Sequence, residues 1–211
     1  MREYITECIG TFFLVFTVCL TVLNGTPGAP LAIGVSLMIM VYMGGHISGG
    51  HYNPAVTLAV WMRGKLSGSQ VVPYWIAQLI GAIIAGLISY FIMGKSFVVA
   101  PAPSATTLQV LVIEFLFTFA LCLVVLQTAT NPKTSGNSYY GLAIGLTITA
   151  GVYAGGGVSG GAFNPAVGTG PAIASMITGG GTMSHVWLYI VGGLLGGAAA
   201  AAVYKVQSPE T

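Results

Sequence analysis

The nine residues SGGHYNPAV at positions 48–56 return as SGGAFNPAV at positions 159–167, identical at seven of nine places. A match of that quality makes an internal duplication the first condition any fold of this chain must satisfy. In each copy an Asn directly precedes a Pro, giving Asn53-Pro54-Ala55 and Asn164-Pro165-Ala166. Asn is a strong helix N-cap, and Pro is favoured in the first turn of a helix. Each copy therefore reads as a loop, a cap and the start of a short helix. Such a start leaves backbone N–H groups unpaired and carries a partial positive charge. Two of them brought together make a polar site.

The surroundings of that site are apolar. Of the 211 residues, 55% are hydrophobic and 5% are charged, against roughly 25% charged in a soluble domain. Apolar runs near the length of about 20 residues that a membrane helix needs predict six crossings, at roughly 4–23, 31–46, 70–92, 107–128, 139–157 and 185–204. The first starts at the N-terminus without a small-residue cleavage site, so it is expected to stay as a helix. Two apolar segments, at roughly 53–62 and 164–177, are too short to cross and are expected as half-helices. Cys8, Cys19 and Cys122 fall inside the expected crossings and read as small packing residues. The stretch 96–104, with Pro101 and Pro103, reads as an extended connection between halves.

The basic residues give an orientation. Arg2, Arg63, Lys65, Lys133 and Lys205 fall on one side of the expected topology and Lys95 alone on the other. Basic residues favour the cytoplasmic side, so both termini are expected there. The duplication also extends beyond the nine-residue stretch, since Glu7-Cys-Ile-Gly-Thr-Phe12 in the first crossing is echoed by Glu114-Phe-Leu-Phe-Thr-Phe119 in the fourth. Three crossings per half is an odd number, so the two halves lie upside down relative to each other. The expectation is one membrane domain over 1–211, built of repeats at roughly 1–100 and 107–205, with half-helix ends meeting near the midplane. Non-helical backbone at that depth has to line a cavity or be buried in protein. The glycines at 44–50 and 155–161 suit it, because they let backbone approach closely and turn carbonyl oxygens toward a pore.

At these residues the chain resembles the major intrinsic proteins, the aquaporin and aquaglyceroporin family. The two Asn-Pro-Ala boxes, the Ser-Gly-Gly turn before each, the Glu-x-x-Gly-Thr-Phe opening and the second Glu at 114 carry the resemblance over essentially the whole chain. It implies an all-α membrane protein, with six transmembrane helices and two re-entrant half-helices in an inverted repeat around a pore. It also implies a homotetramer and passive channel activity. The implied partners are the lipid bilayer, water and small neutral solutes, with no cofactor, metal or nucleic acid. Asn53 and Asn164 are then expected to turn amide N–H groups toward the pore, orienting water, with the helix ends repelling cations and protons. For Glu7 and Glu114 the resemblance implies acceptance of hydrogen bonds from the half-helix loops; proton relay is the other reading of an intramembrane carboxylate. His46 and His51 read as loop hydrogen-bonding groups, since no third metal ligand lies near them, with pH sensing as the other reading, and His185 starts the last expected crossing.

One position departs from the family's common pattern. Many members carry Arg directly after the second Asn-Pro-Ala, where this chain has Val167. Projecting the family's outer filter by its offsets gives Ile33, Val152, Gly161 and Val167, none with a polar or aromatic side chain. Backbone carbonyls around 160–162 are expected to supply the remaining polarity. Such a constriction favours glycerol, urea or ammonia beside water. The competing readings are a proton-coupled transporter using Glu7 or Glu114, a structural membrane protein with a vestigial pore, and an ion channel. No nucleophile–base pair, metal cluster or phosphate loop points to an enzyme. The short termini and loops suggest a plasma (inner) membrane location.

Overall fold

The computed structural model describes residues 1–209; the last two positions of the expected 1–211 domain lie outside the described residues. Eight α-helices follow in order: α1 (Arg2–Leu23), α2 (Ala29–Ser48), α3 (Pro54–Met62), α4 (Gly68–Met93), α5 (Thr107–Val125), α6 (Tyr140–Ser159), α7 (Pro165–Ile177) and α8 (Val186–Gln207). Six are long and apolar enough to cross a membrane, α5 together with the turn that continues it. α3 and α7 have 9 and 13 residues. At about 1.5 Å per residue neither reaches across a hydrocarbon core of about 30 Å. The chain is thus an integral, multi-pass membrane protein with two re-entrant half-helices in an inverted repeat.

The repeat shows in the packing. α1 lies on α4 as α5 lies on α8, and α2 meets α6 across the junction of the halves. Small residues permit the close approach. A Cβ added to Gly196 of α8 would stand 2.6 Å from the Phe115 carbonyl oxygen of α5. In the first half, one added to Gly81 of α4 would overlap the Cys8 carbonyl oxygen of α1. The outward side of α4 carries Ile76, Ile80, Ile84 and Ile88 at every fourth position, all exposed. An apolar stripe of this kind suits lipid or a neighbouring subunit.

The structure departs from the sequence expectation in two places. The glycines at 44, 45 and 155–157 are helical, so α2 and α6 run on to Ser48 and Ser159. Packing overrides the low helix propensity of glycine there: Gly44 abuts the Tyr52 hydroxyl and the Thr6 methyl, leaving no room for a side chain. The crossing expected as regular helix over roughly 107–128 also changes character. Regular α-helix stops at Val125, and Leu126–Thr130 forms a π-helical turn. Thr134 Oγ donates to the Gln127 carbonyl at 2.7 Å, and Asn137 Nδ2 donates to the Thr128 carbonyl at 2.8 Å. These side chains satisfy carbonyls at the end of the helix.

Candidate functional site

α3 and α7 start beside each other in the middle of the molecule, and their N-caps link the halves. Asn53 Oδ1 accepts from Ala55 N and Asn164 Oδ1 from Ala166 N, each at 2.9 Å. Asn53 Nδ2 donates to the Phe163 carbonyl and Asn164 Nδ2 to the Tyr52 carbonyl, again at 2.9 Å. Each cap thus holds its own helix with its oxygen and the facing loop with one amide proton. An amide carries two such protons. Pro54 and Pro165 open the two helices, and Ala55 and Ala166 follow them, buried against the junction.

The loops before the caps are held in an unusual shape. Tyr52 and Phe163, both fully buried, have φ of 49° and 46°. An aromatic residue in the left-handed region costs about 1–3 kcal/mol and persists only where its surroundings demand it. The demand comes from the two intramembrane glutamates, each 0% exposed. Glu7 Oε2 accepts from Tyr52 N at 2.7 Å, and its Oε1 accepts from His51 N at 2.9 Å and Ser48 Oγ at 2.7 Å. Glu114 repeats the set with Phe163 N at 2.7 Å, Ala162 N at 3.1 Å and Ser159 Oγ at 2.6 Å. A hydrogen bond to a charged group contributes about 1.5–3 kcal/mol, enough to offset the strain. The peptide bonds of these loops are trans, so drawing these N–H groups to the carboxylates turns the carbonyls of Gly50, His51, Gly161 and Ala162 the opposite way.

A narrow cavity of about 20 Å³ passes the two caps. A single water needs a cavity of roughly 10–15 Å³, so this one has room for one or two. Its wall obeys the repeat. Leu14 pairs with Leu121, Val18 with Val125, Ile33 with Ile144, Leu37 with Ile148, Gly50 with Gly161, Asn53 with Asn164 and Val56 with Val167. The remaining pair, His51 and Ala162, alone differs in kind. Of the four residues expected as a filter, Ile33, Gly161 and Val167 border this cavity. Val152 does not; it is half-buried, with Cγ1 3.6 Å from where a Cβ on Gly161 would stand. On the face that carries both termini the cavity meets a vestibule of about 850 Å³, which His46 and Lys65 border. His185 lies elsewhere, at the N-cap of α8.

Several contributors were not singled out in the sequence. Tyr74 and Tyr189 donate their hydroxyls to the Ser48 and Ser159 carbonyls, each at 2.8 Å. They are repeat mates, and extending the duplication into α4 and α8 would have found them. Gln78 Nε2 donates to Glu7 Oε2 at 2.8 Å and to Thr57 Oγ at 2.9 Å. Its mate in the second half is Gly193, so the repeat carries no signal for it.

Comparison with known proteins agrees with this architecture. A family model described as "Major intrinsic protein" matches residues 1–204. Nodulin-26 of Glycine max is 36% identical, with 98% of this chain and 78% of the relative covered. The glycerol uptake facilitator protein-like 6 of Lactiplantibacillus plantarum is also 36% identical, over 100% of both chains. Among solved structures, the aquaglyceroporin from Plasmodium falciparum superposes with a TM-score of 0.88 at 25% identity, covering 99% of this chain and 97% of that one. Members of this family are channels rather than enzymes, and the present chain belongs to the major intrinsic protein family, as a passive membrane channel for water and small solutes.

Proposed function

We propose that the channel passes small uncharged solutes such as glycerol, urea and ammonia as well as water, through a filter of Ile33, Gly161 and Val167 on the side away from the termini, with Val152 packed beside Gly161. The observation that carries this reading is the aliphatic side chain of Val167 on the cavity wall. A guanidinium there would offer fixed donors and a permanent positive charge; a valine offers neither, so the ring admits solutes that tolerate an apolar wall. Polarity then comes from the loop carbonyls turned away from Glu7 and Glu114, and from the second amide proton of Asn53 and of Asn164. Water crossing the two caps accepts from both, which breaks a proton-conducting chain, and the two helix N-termini add a barrier to cations.

Glu7 and Glu114 serve as braces in this reading. Neither borders the cavity or the vestibule, whereas a proton-coupling carboxylate needs access to one of them. The face with the termini is cytoplasmic, as the basic residues favour, and the membrane is the plasma (inner) membrane. The exposed apolar helix faces fit assembly as a homotetramer with one pore per subunit. Stopped-flow light scattering on proteoliposomes tests the filter, comparing osmotic water flux with glycerol, urea and ammonia uptake for the native protein and Val167→Arg. The native protein passes the solutes and the Arg variant narrows toward water. Identical solute-to-water ratios in the two would exclude Val167 from selection.

A further inference from the structure

The four expected filter residues have repeat mates at the other end of the cavity. Ile33 answers to Ile144, Gly161 to Gly50 and Val167 to Val56, each pair bordering the cavity. At the same spacing Val152 answers to Val41; neither borders the cavity, and Val41 meets Gly50 through its Cα whereas Val152 meets Gly161 through Cγ1. The pore is therefore walled by two rings of nearly the same composition, one toward each face. Aliphatic chemistry cannot make one ring more selective than the other. What separates them is an imidazole on the termini side, at His51, where the far side has only the methyl group of Ala162.

The position of His51 makes that difference matter. His51 and Val125 border both the narrow cavity and the wide vestibule, so they form the neck between the two. The imidazole, 5% exposed, is fixed on two sides. Its Nδ1 lies 3.1 Å from Thr57 Oγ, and its ring centroid is 5.1 Å from that of Tyr74. The network also sets the tautomer. Gln78 gives one amide proton to Glu7 and the other to Thr57, and the Thr57 hydroxyl donates to the Asn53 carbonyl. Nδ1 is then the donor toward Thr57, and Nε2 is left as an acceptor. Val125 is held just as firmly, because the π-helical turn that follows it is tied to the 131–137 loop through Thr134 and Asn137.

We propose that solutes are selected at this termini-side neck, with His51 as the specificity-determining residue: its ring narrows the neck relative to the far ring and offers Nε2 to hydrogen-bond donors. This rests on the channel reading above and adds where the channel discriminates. The test measures glycerol, urea and water permeability in proteoliposomes for the native protein, His51→Ala and Val125→Ala. Removing the imidazole raises the solute-to-water ratio by roughly tenfold, the scale on which a change of steric fit alters discrimination. Val125→Ala shifts the ratio in the same direction without touching any hydrogen bond of the loop. A purely structural role for His51 lowers all permeabilities together at constant ratio, and that result overturns the proposal. Should His51→Ala fail to fold, an unchanged ratio in Val125→Ala overturns it equally. A native protein that passes neither water nor solute refutes the channel reading itself, and the neck falls with it.

Discussion

Replacing Glu114 by alanine isolates the force that shapes the second half-helix loop. The side chain accepts from Phe163 N, Ala162 N and Ser159 Oγ, and all three donors are stranded without it. Each stranded buried donor costs about 1–3 kcal/mol, although a shared site relaxes and the terms do not add in full. Removing one side of a buried charged network typically costs about 3–5 kcal/mol, so about 4 kcal/mol is expected here. For a chain of this size that lowers the melting temperature by roughly 8–16 °C. Thermal unfolding in detergent, followed by intrinsic fluorescence, reads the shift. Phe163 also loses the bond that holds it at positive φ, and its carbonyl is the acceptor for Asn53, so water flux should collapse together with stability. Glu7→Ala is expected to be at least as damaging, because Gln78 is a fourth donor to that carboxylate. A melting point within about 2 °C of native, with flux retained, would mean that the loops keep their shape without the carboxylates and that the bracing argument is wrong.

Other substitutions separate the remaining terms. Gly160 and Gly49 share a φ of 90°, so alanine strains both backbones alike. At Gly160, however, the added Cβ would lie 2.7 Å from the Ala100 carbonyl oxygen and from Val99 Cγ1, whereas at Gly49 it meets the His51 ring at 2.9 Å. Gly160→Ala should therefore be destabilising by about 1–3 kcal/mol from backbone strain with a clash added to it, and Gly49→Ala by the strain and a smaller adjustment of the ring; equal melting points for the two variants would show that Val99 and Ala100 do not confine Gly160. Thr118 presents a fully buried hydroxyl without a hydrogen-bond partner among the described residues. Thr118→Val removes that polar atom at nearly constant shape and should leave the melting temperature unchanged or raised, a result checked in the same scans.

The parts of the fold legible in the sequence were those written twice. The duplicated Asn-Pro boxes place two capped half-helices, and the odd number of crossings inverts them, without any tertiary information. The left-handed Tyr52 and Phe163 could not be read this way, because local preference argues against them and the carboxylates that hold them lie 45 and 49 residues away. The π-helical turn was hidden for a similar reason: Gln127 and Thr128 look helical, and the groups that take up their carbonyls come from the next loop.

The difference between His51 and Ala162 was visible in the two nine-residue copies from the start, yet a mismatch within a repeat has no meaning until its place in space is known. Most repeat mates on the cavity wall agree in kind because an inverted repeat presents equivalent positions to one shared passage, where aliphatic packing serves both ends. The ends themselves need not agree, since each meets a different solution. The polar residues added only to the first half, His51, Thr57 and Gln78, stand where the second half has Ala162, Gly168 and Gly193, and they are joined to one another and to Glu7 by hydrogen bonds. A buried polar group without partners is costly, so a histidine at the neck requires its threonine and glutamine behind it. That the three occur together, on one side of an otherwise symmetric pore, is the reason to treat them as one device and to test the neck rather than the far ring.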